Sequence, residues 1–300
     1  MTARLSALNA QWGQSGAVCF EERFGGPVAV LTSARSTAVV ALQGAQVLSW
    51  RPTAGANVLW LSPVANLGTE KAIRGGIPVC WPWFGPHPKY MTKPAHGFVR
   101  AAMWEVAGTS GRAGQASIRF CFDACKIDPA LWDHAAEVLI DIVLSDALEI
   151  ILTTINRAGK AIPLTEALHT YLAIGDIADV AITGLEGRSY IDQMALGHHP
   201  VQSGAITIAG EIDRIYQQTP GTVIVHDTKL KRNITIAKTG SASTVVWNPG
   251  HEKSTRLGDM GAEGYRHMVC IETANAGDDV VTLSPGQRHQ LSAKISVEPL

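Results

Sequence analysis

No stretch of the 300 residues reaches the roughly 18 consecutive apolar residues that a membrane-spanning helix needs, so no membrane helix is expected. Charge is also scarce in excess: 25 Lys and Arg balance 26 Asp and Glu, for a formal net charge of −1. That balance leaves no electrostatic basis for a nucleic acid or an anionic membrane as partner. Cysteine is sparse and odd in number, namely Cys19, Cys80, Cys121, Cys125 and Cys270, with no CxxC pair. Reduced thiols in a cytoplasmic protein are the expected reading, and a metal site built on cysteine is not expected. The opening stretch MTARLSALNAQWGQSGAVCF has no uninterrupted apolar segment, so a secretory leader is not expected either. Internal repeats, low-complexity tracts and interdomain linkers are missing too. With 46% apolar residues the composition is that of a globular chain.

What the sequence does contain is strands. Runs such as PVAVLTSA, TAVVALQG, ASIRFCFD, EVLIDIVLS, LEIILTTIN, NITIAKTG, STVVWNPG and HMVCIETAN alternate or are continuously apolar, are rich in Val, Ile and Thr, and end at Gly, Asn, Asp or Pro. Their number, with almost no helical period between them, predicts an all-β protein, a large antiparallel β-sandwich. The connectors are too short for the crossover helices of a parallel sheet. One domain over 1–300 is the simplest reading. Short helices are expected only in DPALWDHAA and LGDMGAEGYRHM.

Two strands carry candidate chemistry. In TEALHTYLAI the alternation puts His169 on one face with Ala167 and Tyr171, and in MVCIETANA it puts Glu272 with Cys270 and Ala274. A carboxylate in the middle of an apolar strand is costly unless it is paired or faces a solvated cleft, and the small residues beside Glu272 leave room for a ligand. A solvent-facing or arginine-paired Glu272, and a His169 packed as an ordinary core residue, would satisfy the same pattern. The segment IRGGIPVCWPWFGPHP, with four prolines, cannot be a helix interior or a central strand. It reads as a stiff aromatic loop, with Arg74 before Gly75-Gly76, where the backbone can approach a ligand closely. Arg74 and Arg100, the latter ending AHGFVR, could clamp a phosphate or make surface ion pairs. Trp83, with Trp81 and Phe84, could offer an apolar wall to a sugar ring or plug one end of the sandwich. His96 could donate to a sugar hydroxyl or shape its loop.

Taken together, RGGIPVCWPWFGPH, AHGFVR, EALHTYL, WNP, DMGAEGYRHMVCIETAN and LSPGQRHQL resemble, in order from about residue 40 to 292, the D-hexose-6-phosphate mutarotases of the aldose 1-epimerase superfamily. The resemblance implies a galactose-mutarotase-like β-sandwich that exchanges the anomers of glucose 6-phosphate or a related hexose 6-phosphate. It implies His169 as general acid, Glu272 as general base, Arg74 and Arg100 at the phosphate, and Asp213 on a sugar hydroxyl. Ring opening would start from an ionised Glu272 and a protonated His169, each favoured by the other's charge. No cofactor or metal is implied, and a cytoplasmic monomer is expected. One departure stands out: many relatives read W-N-P-W where this chain has WNPGHEK, with Gly250 in place of the second Trp. Three alternatives remain open at this level: a carbohydrate-binding protein without turnover, an epimerase for unphosphorylated aldoses, and a metal-binding cupin-type barrel. The paired arginines weigh against the second. The third would need inward-facing histidines, whereas His198 and His199 would point to opposite faces of a strand.

Overall fold

The computed structural model describes residues 2–68, 71–112, 114–195 and 197–300. Among them, an eight-stranded sheet runs in the order Val180–Thr183, Val223–Asp227, Arg232–Thr239, Arg288–Pro299, Leu148–Asn156, Ala136–Leu144, Gln115–Asp123 and Glu105–Arg112. A seven-stranded sheet runs Tyr190–Asp192, Ile212–Gln217, Ser243–Asn248, Met268–Asn275, Glu166–Leu168 and Val79–Cys80, with Tyr171–Ala173 also paired to Met268–Asn275. A four-stranded meander over Val18–Arg23, Gly26–Thr32, Ser36–Ala41 and Val47–Pro52 closes one end. Neighbouring strands in these sheets pair antiparallel.

Side-chain alternation decides which face is buried. In Ala136–Leu144 the residues Ala136, Val138, Ile140, Ile142 and Leu144 are buried while the four between them are half-exposed. A continuous apolar cluster joins this face, through Leu152, Leu291 and Ile295, to Leu168, Val246, Val269 and Ile271 of the seven-stranded sheet. The opposite face of the seven-stranded sheet carries a second cluster that includes Cys80, Ala167, Tyr171, Val245, Trp247, Cys270 and Ala274. The sequence places His169 and Glu272 on that second face, and so does the fold.

The helices differ from expectation. DPALWDHAA makes a single turn, with Leu131 and Trp132 N–H both donating to Asp128 O, and Trp132 is then pulled into the core. In LGDMGAEGYRHM only Gly264–His267 winds, as a 3₁₀ turn. Helices form instead at Thr2–Trp12 and Gly250–Leu257. The first carries Leu5, Leu8 and Trp12 at helical spacing onto the core. Asn9 fastens it by exchanging two hydrogen bonds, 2.7 and 2.8 Å, with the backbone of Phe20. The second ends at Gly258, whose φ of 67° stops the helix.

Candidate active site

The Met268–Asn275 strand lies between Ser243–Asn248 on one side and the Glu166–Leu168 and Tyr171–Ala173 strands on the other. Cross-strand register sets Asp213 beside Trp247, Trp247 beside Cys270, and Cys270 beside Tyr171. One residue pair further along, Ile215, Val245 and Glu272 are in line. Asp213, Trp247, Ile215, Val245 and Glu272 of these rows line a cleft of about 430 Å³, with Cys270 and Tyr171 buried among them.

His169 sits where strand pairing breaks between Leu168 and Tyr171. Its N–H donates to Pro78 O at 2.9 Å, the Thr170 N–H folds back to Leu168 O at 2.9 Å, and Ile271 N–H donates to Thr170 O at 3.1 Å. The break leaves the imidazole stacked on Tyr171, centroids 4.8 Å apart, with the Trp247 indole edge-on at 6.0 Å. His169 Nδ1 thereby lies 3.3 Å from Glu272 Oε1. Glu272 is 1% exposed.

The electrostatics of this pair correct one expectation. Burial, then the charges of His96, Arg100 and Arg74, push His169 well below the usual imidazole range. Burial, reinforced by Asp213, pushes Glu272 well above the usual carboxylate range. The surroundings therefore favour the neutral forms, not a preformed ion pair. A neutral imidazole beside a carboxylic acid and an imidazolium beside a carboxylate hold the same number of protons, so moving one proton from Glu272 to His169 converts the first into the second.

The remaining candidates are placed unevenly. Arg74, His96 and Asp213 line the cleft. Arg74 is fixed by Asp259 (Nε to Oδ2, 3.0 Å) and by the Tyr171 hydroxyl (Nη1, 3.2 Å). Burial and the nearby Arg100 and Arg74 lower His96 to about 3, so it is neutral, and its Nδ1 accepts from the Gly85 N–H at 3.3 Å. Its remaining N–H is free to serve as a donor. Burial, helped by Glu211 and Asp192 against Lys253, raises Asp213 to about 6. Arg100 does not line the cleft: its Nη2 donates to Ala95 O at 2.9 Å, and it acts on His169, His96 and Glu272 as a nearby charge.

Trp83 is likewise displaced from the expected position. It is 4% exposed, its indole donates to Pro94 O at 2.9 Å, and its ring packs with Phe98 and Trp132 in the interior cluster. Phe84 and Trp247 line the cleft in its place. The Gly75-Gly76 pair serves a different close approach from the one expected. A Cβ on Gly75 would come within 2.6 Å of Trp60 O and one on Gly76 within 2.1 Å of Val47 O. The glycines therefore seat the loop on neighbouring backbone, and of Arg74, Gly75 and Gly76 it is Arg74 that lines the cleft. His198 and His199 are exposed and neither lines the cleft.

Sequence reasoning passed over Lys253 and Leu257, which the Gly250–Leu257 helix brings to the rim, and Trp247 itself. Lys253 Nζ pairs with Glu211 at 2.6 Å. Its signal lay in the quoted WNPGHEK, where a cation follows the departing glycine by three residues. Gly250 begins the helix with φ 61°, and a Cβ there would stand 2.7 Å from Glu211 N. The backbone at this corner has closed into the space that a larger side chain would need. The floor also offers metal-ligand types: one ligand atom each of His169, Cys270 and Glu272 lie within 4.8 Å of one another.

This geometry occurs in a chain whose residues 27–296 match the sequence profile of the aldose 1-epimerases. A Salmonella typhimurium protein provisionally named glucose-6-phosphate 1-epimerase is 35% identical over 237 residues, 79% of each chain. A Cenchrus ciliaris protein with the same provisional name is 32% identical, covering 90% of this chain and 84% of its own. A crystal structure described as a mutarotase from Salmonella typhimurium superimposes with a TM-score of 0.89 at 30% identity over 96% of both chains. A galactose mutarotase-like protein of Clostridium acetobutylicum shares the fold, with a TM-score of 0.75 at 14% identity over 94% of this chain and 98% of its own.

Proposed function

Because the chain belongs to the aldose 1-epimerase family, we propose that it interconverts the α and β anomers of D-glucose 6-phosphate and related hexose 6-phosphates. The observation that carries this reading is the buried imidazole–carboxylate pair, 3.3 Å apart on the floor of a cleft. Opening a hemiacetal requires a proton to leave the anomeric hydroxyl while another reaches the ring oxygen. Glu272 takes the first and His169 supplies the second. Rotation about C1–C2 exposes the other face of the aldehyde, and the two groups reverse roles as the ring closes. As the protons move, the bond between C1 and the ring oxygen breaks, its electron pair going to that oxygen, and it re-forms on closure; nothing is oxidised or reduced, so the chemistry calls for no electron carrier.

A pair that shares one proton suits a reaction that returns it. Sugar hydroxyls entering the cleft solvate the charged form of the pair, and His96 and Asp213 are positioned to hold those hydroxyls. Each proton-transfer group contributes on the order of 10²–10⁴ in rate. Arg74 and Lys253 are the cations that line the cleft, and we assign the phosphate to them, with Arg100 adding charge from behind. The phosphate is remote from C1, so its binding energy orients the ring without entering the proton transfers.

Among the described residues no helix is long and apolar enough to cross a membrane. Cys80 and Cys270 are free thiols buried beside the site, which fits a cytoplasmic setting, and we take the working unit to be the monomer. The deciding experiment is NMR exchange spectroscopy on glucose 6-phosphate with and without the protein, with glucose as the control substrate. Exchange no faster than the buffer rate would overturn the assignment.

A further inference from the structure

The mechanism leaves unused one fully buried group on the cleft face of the sheet. Cys270 is two residues before Glu272 on the same strand, so both side chains rise from the same face. His169 is two residues before Tyr171, which pairs directly with Cys270. Thiol, imidazole and carboxylate therefore converge from two adjacent strands. We propose that His169, Cys270 and Glu272 form a binding site for a divalent thiophilic cation, Zn²⁺ in the first instance, and that the bound ion excludes the sugar and stops turnover.

Three features support the site. One ligand atom from each residue already lies within 4.8 Å of the others, and the His169–Glu272 separation is 3.3 Å. Zinc bonds of about 2.0–2.3 Å require ligand atoms roughly 3.3–3.7 Å apart, so small side-chain rotations would complete the geometry. In addition, His169 Nδ1 and Glu272 Oε2 are buried polar atoms with no hydrogen-bond partner. Buried groups of this kind are unfavourable unless something fills the space between them. Finally, the donor set is selective. A sulfur ligand with an imidazole suits zinc, cobalt or cadmium, whereas magnesium and calcium take oxygen ligands.

The proton balance is definite. Cys270 gives up its thiol proton and the His169–Glu272 pair gives up the one it shares, so two protons are released to solvent for each ion bound. Affinity accordingly rises with pH. The ion keeps a fourth position, open to water. Inhibition follows because the lone pairs that move the proton in catalysis are then occupied. That last clause rests on the proposed reaction, but the binding site does not.

The test is calorimetric titration of ZnCl₂ into the wild-type protein, into Cys270→Ala, and into a Cys19→Ser/Cys125→Ser variant that removes the two exposed thiols. CoCl₂ is titrated in parallel to read the thiolate-to-metal charge-transfer band. One ion per chain is expected in the wild type and in the surface variant. Cys270→Ala should bind at least roughly tenfold more weakly, in line with what lesser damage to a metal site costs, and should lose the band. Glucose 6-phosphate should raise the apparent Kd for the ion. Binding unchanged in Cys270→Ala, or a band that disappears with the surface cysteines, would overturn the proposal. In anomer exchange, with each protein measured against its own metal-free rate, Zn²⁺ should inhibit the wild type and leave Cys270→Ala largely uninhibited. A protein that binds the ion through Cys270 yet never accelerates exchange would refute the reaction and leave the metal site standing.

Discussion

Replacing Arg74 with alanine removes a cation that is three-quarters buried at the cleft wall. A charge-assisted contact to phosphate is worth about 1.5–3 kcal/mol, which corresponds to roughly ten- to a hundredfold in kcat/KM for glucose 6-phosphate. The same guanidinium donates to the Tyr171 hydroxyl at 3.2 Å, and Tyr171 stacks on His169. Losing that contact costs about 0.5–1.5 kcal/mol and falls on any sugar, phosphorylated or not. The expected outcome is therefore two unequal losses. Glucose should lose up to about tenfold, and glucose 6-phosphate should lose a further factor of ten or more. Arg74→Lys should restore part of the phosphate selectivity, since it keeps the charge but cannot hold Asp259 and Tyr171 at once. The assay is kcat/KM by NMR exchange for both sugars in wild type and both variants, at fixed ionic strength because the contact is screened by salt. Equal losses for the two sugars would show that Arg74 only supports the floor, and the phosphate assignment would fall.

Glu272→Gln and His169→Asn should each lower exchange by at least about a hundredfold with the fold retained by circular dichroism, and near-wild-type exchange in either would dismiss that residue from the chemistry. Asp213, raised to about 6 by burial, should lose its acceptor charge as pH falls through that value. KM for glucose should then climb below about pH 6 in the wild type and stay flat in Asp213→Asn; a climb that persists in the variant would assign the titration elsewhere. Glu166, which burial lifts to about 8, keeps in the folded state a proton that the unfolded chain surrenders near 4.5. The contribution of Glu166 to folding stability therefore falls as pH rises from about 4.5 to about 8, by roughly 1.4 kcal/mol per pH unit. The stability difference between wild type and Glu166→Gln should carry that slope, with the variant the more stable protein at pH 7 in urea melts, and a pH-independent difference between the two would contradict the burial argument.

The sheets were legible because alternation reports faces directly: Val138, Ile140 and Ile142 announce a buried side, and Cys270, Glu272 and Ala274 a different one. The same period put His169 and Glu272 on their correct faces. It could not show that Cys270 would lie beside Tyr171, since register across strands about a hundred residues apart depends on tertiary packing. For the same reason Trp83 and Phe84, adjacent in one loop, could not be told apart, and one went to the core and the other to the cleft. The Gly250–Leu257 helix was missed because its eight residues are too few to display a period. Thr2–Trp12 did display one in Leu5, Leu8 and Trp12. Lys253 was overlooked with its helix, and Arg100 was credited with a contact that only its charge makes.

The Gly250–Leu257 helix divides the cleft into parts with different tolerance for change. His169, Glu272 and their neighbours are woven into paired strands, and the His169 backbone is tied to Pro78, so an insertion there would disturb several strands together. The helix is bracketed by two left-handed glycines, Gly250 and Gly258, and meets the cleft through Lys253 and Leu257. It is in effect a cassette. Exposed positions between those glycines are where a change would meet a different group at the far end of the sugar, while the machinery that opens the ring stays as it is.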